Sequence, residues 1–215
     1  MADKFEKGKR YGGGDMTKDW IGNQRSVFGT MGASNHSEKE RQCNDYYATD
    51  PKAIDLLLEN ENFDGTIWEC ACGQGHMAER LKQNGYSVIA TDLVYGGYGV
   101  GDIDFLLCDY TLGDNIITNP PYKYVQDFCE KAYSLIENGK KVAMFMKLLH
   151  LEGKARKKMW LEIPLKTLYV SSSRILCAKN GNFQEMRDSG GSATAYAWYV
   201  WEKGYKGETV IKWIN

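Results

Sequence analysis

Short apolar runs and amphipathic segments alternate along most of the chain. Asp50-Pro51 predicts the start of a first helix, because proline is tolerated in the first turn. Strand-like runs follow at "GTIWECA", "YSVIATDL", "FLLCDY", "NIITN" and "KKVAMFMKLL", and helical spacing at "HMAERLKQNG" and "YVQDFCEKAYSLIENG". Strands that alternate with helices predict an α/β fold, with a mostly parallel sheet covered by helices on both faces.

The alternation of strands and helices changes in the last third of the chain. "HLEGKARKKMWLE" predicts a helix, whereas "LKTLYVSSSRIL" and "TAYAWYVWEK" predict a sixth and a seventh strand with only a loop, "KNGNFQEMRDSGGSA", between them. Strands without a helical crossover can pair antiparallel, so we expect a seven-stranded sheet with an antiparallel edge strand. In the seventh strand, alternation places Tyr196, Trp198 and Val200 on one face, which predicts core rather than an exposed stacking surface.

Composition divides the chain into two parts. Residues 1–42 are polar, glycine-rich and aperiodic, which predicts a flexible N-terminal arm and leaves residues 43–215 as one domain. The arm carries eight Lys or Arg against six Asp or Glu, and the whole chain has a net charge of −1. This balance gives no indication of a protein that coats nucleic acid without specificity.

Cysteine usage and hydropathy set further limits. The six cysteines are scattered without a CxxC pair and there are three histidines, so we expect no metal site and a reduced, cytoplasmic location. The charged start of the chain does not resemble a signal peptide. The apolar run "KVAMFMKLL" is too short to span a bilayer, so we expect no membrane partner.

A glycine loop lies between the first predicted strand and its helix. In "IWECACGQGHMA", Gly73 and Gly75 allow close approach of the backbone to a ligand, and Asp92 ends the next strand, where an acid can bind ribose hydroxyls. The loop alone leaves the nucleoside cofactor open. Glu69 suits a cationic ligand better than a pyrophosphate, and Asp109, at the end of the third predicted strand, is placed to meet an adenine amino group.

The fourth predicted strand ends in "NPPY". Pro120 and Pro121 fix the backbone and remove two donors, so their carbonyls and the side chain of Asn119 remain as rigid acceptors beside the flat ring of Tyr122. Such an arrangement fits a planar substrate that carries an NH2 group. The acceptors would hold its two protons and turn the nitrogen lone pair toward a methyl donor.

With these motifs in order, "DYYATDP", "WECACGQG", "ATDL", "LLCDY" and "ITNPPY", residues 43–202 resemble class I S-adenosylmethionine-dependent methyltransferases. The chain most resembles the adenine-N6 DNA methyltransferases, in a small phage or prophage form. This resemblance implies a Rossmann-like methyltransferase fold, S-adenosylmethionine as cofactor, and methyl transfer to N6 of adenine in DNA. Ala71 and Cys72 depart from the family, since a glycine is common at this point of the loop.

The resemblance also implies a set of site residues. The donor would be bound by Tyr47, Thr49, Pro51, Glu69, Ala71, Gly73, Gly75, Asp92, Asp109 and Asn119. The target amine would be held by Asn119, Pro120, Pro121 and Tyr122.

No segment is left over for a separate target-recognition domain. Between His150 and Arg187 there are eight Lys or Arg against three Glu. We expect the basic helix in this stretch to contact phosphates. Further contacts with nucleic acid are expected from the arm and from the 178–193 loop. The candidate nucleic-acid residues are Lys154, Arg156, Lys157 and Lys158.

Other functions remain open at this stage. The same "NPPY" site serves RNA bases and protein glutamine amides, although enzymes of the latter kind usually bring an extra helical N-terminal domain. A non-catalytic module that binds the donor is a further alternative, and intact "NPPY" argues against it. A dehydrogenase has no use for the amine-binding "NPPY" motif, which argues against that class of enzyme. The sequence favours DNA over RNA and leaves the oligomeric state unknown.

Overall fold

The computed structural model describes residues 47–179, 181–188 and 194–215, so the predicted arm at 1–42 lies outside the described residues. The strands are β1 (Tyr47–Thr49), β2 (Ile67–Glu69), β3 (Val88–Ala90), β4 (Asn115–Thr118), β5 (Lys141–Lys147), β6 (Thr167–Ser171), β7 (Cys177–Lys179), β8 (Tyr196–Glu202) and β9 (Val210–Ile214). The helices are α1 (Lys52–Leu58), α2 (His76–Gln83), α3 (Val125–Leu135), α4 (Lys154–Glu162) and α5 (Phe183–Asp188). Short 3-10 helices lie at Phe105–Leu107, Tyr122–Tyr124 and Leu148–Leu151.

The described strands form a seven-stranded mixed sheet in the order β3-β2-β4-β5-β8-β6-β9. Strands β3, β2, β4 and β5 are parallel, β8 is antiparallel to both β5 and β6, and β9 is parallel to β6. This confirms the predicted mostly parallel α/β sheet and the antiparallel pairing of the last two predicted strands. The reversed strand β8 lies between β5 and β6, and β9 lies beyond β6 at the end of the sheet.

Helices cover both faces because successive side chains of the central strands point in opposite directions. On one face, Met144 and Met146 of β5 belong to a core cluster with Phe128 of α3. On the other face, Phe145 belongs to a cluster with Leu57 of α1 and residues of α2. All of these side chains are buried. A strand buried on both faces shows a continuous apolar run, which is why β5 was readable in the sequence.

Strand β8 is the aromatic centre of this core. Tyr196, Trp198 and Val200 are buried, as the alternation predicted, and Ala197, Tyr199 and Trp201 on the opposite face are buried as well. Trp198 donates its indole N–H to the carbonyl of Ala53 at 2.7 Å, and the Tyr199 hydroxyl donates to the carbonyl of Lys147 at 3.1 Å. These bonds satisfy polar groups that would otherwise be buried without partners.

The prediction of a strand at "FLLCDY" is wrong. The segment contains the 3-10 helix Phe105–Leu107, because the Asp104 carboxylate accepts from the backbone N–H of Leu106 at 3.0 Å and caps the turn. Phe105 is buried, with its ring centroid 5.2 Å from that of Trp68, whereas Leu107 is 80% exposed. Phe105 and Cys108 are buried three residues apart, with the exposed Leu107 between them, which is the spacing of a one-sided turn rather than of a strand buried on both faces.

Two further elements were missed in the C-terminal third. The predicted loop contains helix α5, and "VIKWI" forms β9, in register with β6 from Thr167 opposite Val210 to Ser171 opposite Ile214. The seven strands of the sheet are therefore reached without the third predicted strand and with β9 instead. Strands β1 and β7 also went unrecognised, and they form a separate two-stranded antiparallel sheet.

Candidate active site

A cavity of about 620 Å³ lies beyond the carboxyl ends of β2, β3 and β4. This is where ligands bind in open parallel sheets, and the volume falls within the ~300–1,000 Å³ usual for small-molecule sites. The walls come from residues 47–49, 69–74, 92–96, 103–106 and 119–122, with further residues from α2 and α3.

Most of the predicted donor and target residues are brought together here. The lining includes Tyr47, Thr49, Glu69, Ala71, Gly73, Asp92, Asn119, Pro120, Pro121 and Tyr122. Pro51, Gly75 and Asp109 are not among the lining residues. The sequence predicts only that these segments end at the same edge of a parallel sheet. The structure shows that they line one cavity.

The glycine loop is tied to the end of β3 through one carboxylate. The backbone N–H of Gly73 donates to Oδ2 of Asp92 at 2.7 Å, and the N–H of Val94 donates to Oδ1 at 3.1 Å. The two loops that follow β2 and β3 are thus held together at the cavity wall. Asp92 is half-buried and keeps lone pairs for a ligand, since each carboxylate oxygen can accept more than one bond.

Gly75 is required for a different reason from the one expected. Its φ is +82°, and a Cβ at this position would lie 2.3 Å from the ring of Tyr98. That ring is fixed by the ammonium of Lys82, which donates to its hydroxyl at 2.7 Å, and by a hydrogen bond to Glu79. Gly75 therefore makes room for an aromatic side chain of the 92–101 loop.

Glu69 is a buried carboxyl group at the cavity wall. It is 3% exposed, and its Oε2 has no hydrogen-bond partner among the described residues. Burial raises the pKa of Glu69 well above its ordinary value; the backbone N–H of Ala78 lowers this pKa, and the charge of Asp92 raises it further. A buried acceptor beside a cavity is suited to a cationic or hydrogen-bonding group of a ligand.

An acid that the sequence reasoning missed also lines the cavity. Asp104 belongs to the lining, whereas Asp109 is exposed and lies outside it. The signal that could have identified Asp104 is its position before a short apolar turn, which is typical of a capping residue. That signal was obscured because the segment was assigned to a strand.

Asn119 directs its amide nitrogen into the protein. Its Nδ2 donates to Oγ1 of Thr49 at 3.0 Å and to the carbonyl of Tyr47 at 3.4 Å. Its Oδ1 is buried and has no hydrogen-bond partner among the described residues. Buried polar atoms are nearly always hydrogen-bonded, so an acceptor without a partner in a cavity wall indicates a place for a donor from a ligand.

The ring of Tyr122 is enclosed by neighbours. Its centroid lies 5.6 Å from that of Tyr47, the ammonium of Lys147 is 4.2 Å from its centroid, and its hydroxyl is 2.8 Å from that of Tyr196. Burial raises the pKa of Tyr122, so the hydroxyl stays protonated. A base that stacks on the ring face covered by the Lys147 ammonium has to displace that group. Tyr124 lines the same cavity and is 42% exposed.

The four predicted nucleic-acid residues lie on α4, outside the cavity lining. Arg156 is committed to the backbone, because its Nε donates to the carbonyl of His150 at 2.9 Å and its guanidinium also binds the carbonyl of Glu152. Lys158 lies 3.6 Å from a carboxylate oxygen one turn further along the helix. Lys154 and Lys157 are exposed, so they are the better placed for phosphate contacts.

Within the described ranges, no group of three or more His, Cys, Asp or Glu is arranged to hold a metal ion. The helices in those ranges include none with the length and apolar character needed to cross a membrane.

No protein-family model matches the chain, and no curated protein matches its sequence. Solved structures do match. One is a protein of Pyrococcus horikoshii, provisionally described as an RNA methyltransferase, with a TM-score of 0.53 and 15% identity over 74% of this chain and 87% of that one. Another is a protein of Lactococcus lactis, provisionally described as a hemolysin, with a TM-score of 0.52 and 14% identity over 79% of this chain and 95% of that one.

Identities this low show the fold alone. The chain shares with these solved structures a Rossmann-like fold, in which helices surround a mixed seven-stranded sheet.

Proposed function

We propose that the protein transfers a methyl group from S-adenosylmethionine to the exocyclic N6 amine of adenine in DNA. The observation that carries the proposal is the amide oxygen of Asn119, which is buried, has no partner among the described residues, and lies next to Pro120 in the cavity wall. An acceptor in this state suits the N–H of a target amine. Because the prolines fix the backbone, a second acceptor, the Pro120 carbonyl, is held at a set distance from it.

The donor half of the cavity supports the same proposal. We assign the ribose hydroxyls of the donor to Asp92 and its cationic methionine end to Glu69, whose Oε2 lacks a partner among the described residues. We assign the adenine amino group to Asp104, in place of Asp109, because Asp104 lines the cavity and Asp109 does not. When bound, S-adenosylmethionine supplies an electrophilic methyl group on its sulfonium.

The residues of the chain then have to orient the amine and exclude water. Asn119 Oδ1 and the Pro120 carbonyl accept the two amine protons, which turns the nitrogen lone pair toward the methyl donor. The amine is itself the nucleophile, so no cysteine or histidine base is required, and its proton passes to solvent water after the bond from nitrogen to the methyl group has formed. The buried wall around Glu69 and Asn119 strengthens these hydrogen bonds, since they form away from water.

Recognition of DNA would use the exposed edge around the cavity. Lys154 and Lys157 can hold phosphates without reading sequence. A base inside a duplex cannot present its amine to a buried donor, so the target adenine has to be extruded, at a cost of a few kcal/mol. Stacking on Tyr122, with displacement of the Lys147 ammonium or of Tyr47, would offset part of that cost.

The proposal is tested by methyl transfer from tritiated S-adenosylmethionine to duplex DNA, single-stranded DNA, RNA and a whole protein extract in parallel. Asn119→Ala should retain donor binding by calorimetry and lose at least about a hundredfold in transfer, as expected for a lost acceptor that acts on the transition state. Asn138→Ala, at an exposed position outside the cavity lining, is the matched control.

Near-normal turnover of Asn119→Ala would show that the Asn119–Tyr122 segment has a structural role and does not act on the target amine. Label in RNA or in protein glutamine, with none in DNA, would identify that molecule as the substrate and refute the DNA assignment. Donor binding without transfer to any of the four substrates would favour a non-catalytic module.

A further inference from the structure

The two-stranded sheet of β1 and β7 lies against the amide of Asn119. Thr49 and Cys177 are directly opposite each other in its register. Both residues are buried, at 4% and 2% exposure. From this pair of positions, Oγ1 of Thr49 lies 3.0 Å and Sγ of Cys177 lies 3.7 Å from Nδ2 of Asn119. One ladder thus brings two side chains to the same nitrogen atom.

The surroundings of that nitrogen select one orientation of the amide. The carbonyl of Tyr47 lies 3.4 Å from Nδ2 and can only accept. With the amide turned over, Oδ1 would face that carbonyl, and two acceptors would be in contact without a proton between them. The observed orientation therefore satisfies the Tyr47 carbonyl and leaves Oδ1 directed away from β1.

The Asn119 nitrogen also fixes the roles of the two side chains beside it. An amide nitrogen can only donate, so Oγ1 of Thr49 accepts from Nδ2 at 3.0 Å and Sγ of Cys177 accepts a weaker bond from it at 3.7 Å. Burial raises the pKa of the Cys177 thiol to about 12, so the sulfur keeps its proton. Both contacts from the β1–β7 sheet therefore favour the same orientation of the amide.

We propose that Thr49 and Cys177 are positioning residues, which hold the Asn119 amide so that Oδ1 is presented to the target amine. This inference rests on the proposed function, because it assigns the orientation of the acceptor used there. It gives the β1–β7 sheet a role in methyl transfer that the sequence resemblance, which placed Thr49 at the donor, did not assign.

Paired variants of Thr49 test the inference. Thr49→Val keeps the shape and removes the acceptor, so kcat should fall about five- to tenfold, the usual effect of one lost hydrogen bond, with the Kd for S-adenosylmethionine unchanged. Thr49→Ser keeps the hydroxyl and should restore most of the rate. In an Asn119→Ala background, Thr49→Val should reduce kcat by less than about twofold, because the two residues act through one contact.

A second measurement does not depend on turnover. In 15N-labelled protein, the side-chain amide protons of Asn119 should exchange slowly with solvent, several-fold faster in Thr49→Val, and slowly again in Thr49→Ser. If the wild-type protein methylates none of the substrates, the proposed function fails, while this exchange pattern still decides the orientation of Asn119.

Three results would overturn the inference. In the first, Thr49→Val matches the wild-type protein in both kcat and amide exchange. In the second, Thr49→Ser is as impaired as Thr49→Val, which would indicate a packing role of the methyl group. In the third, Thr49→Val raises the donor Kd by the factor lost in kcat/KM, which would make Thr49 a donor contact.

Discussion

The substitution Glu69→Gln isolates the buried carboxyl of the cavity wall. Glu69 is 3% exposed, and its pKa is raised by burial far more than the Ala78 N–H lowers it. We therefore expect the empty protein to hold this group protonated well above the pH at which an exposed glutamate ionises. A cation bound against Oε2 favours the ionised form, so donor binding should release a proton from Glu69.

The size of the effect follows from the contact. A unit charge about 4 Å from the carboxylate contributes roughly 4 kcal/mol at an effective dielectric constant of 20. This energy favours the ionised form, so the contact lowers the pKa of Glu69 and opposes the effect of burial. Donor binding should therefore release up to about one proton per ligand at any pH at which the empty protein holds Glu69 protonated.

Titration calorimetry in two buffers of different ionisation enthalpy measures this release. The wild-type protein should show a buffer-dependent enthalpy on binding S-adenosylmethionine, and Glu69→Gln should not. Asp109→Asn, at an exposed acid outside the cavity, is the control and should behave like the wild-type protein. Equal proton release by the wild-type protein and Glu69→Gln would refute the reasoning.

The same shift predicts the pH dependence of folding. Because the pKa of Glu69 is raised in the folded state, its contribution to stability is fully present below the pKa of the unfolded chain and is lost as pH rises through the folded pKa. Glu69→Gln should therefore become more stable relative to the wild-type protein as pH rises above the ordinary pKa of glutamate, about 4.3, in urea unfolding experiments. A pH-independent difference would contradict this.

Two further predictions concern the loops around the cavity. Gly75→Ala should lower the free energy of unfolding by more than the ~1 kcal/mol expected for Gly85→Ala, because both have a positive φ but only Gly75 has a ring where its Cβ would lie. Equal losses in urea unfolding would argue against the ring contact. Asp104→Ala should weaken donor binding by about 1–3 kcal/mol in calorimetry, and Asp109→Ala should not, since only Asp104 lines the cavity. Weaker donor binding in Asp109→Ala than in Asp104→Ala would instead assign the adenine contact to Asp109.

Local signals in the sequence were sufficient for the main architecture. The two-sided apolar run of β5 and the helical spacing of α3 follow from the periodicity of side-chain direction, which depends on the backbone alone. The glycine loop and "NPPY" each follow a strand, and parallel strands end at the same edge of a sheet. That rule was enough to place Gly73, Asp92 and Asn119 in one cavity.

The tertiary structure decided what depends on contacts between distant segments. A three-residue strand has too few positions to show alternation, so the pairing of Thr49 with Cys177 could not be inferred from either segment. Gly75 is required because of Tyr98, which belongs to the loop after β3. Whether the Asn119 oxygen is satisfied depends on which groups surround it. The sequence determined that an acceptor lies at this edge of the sheet. Only the contacts of Thr49 and Cys177 with the Asn119 nitrogen in the tertiary structure left its oxygen available to a ligand.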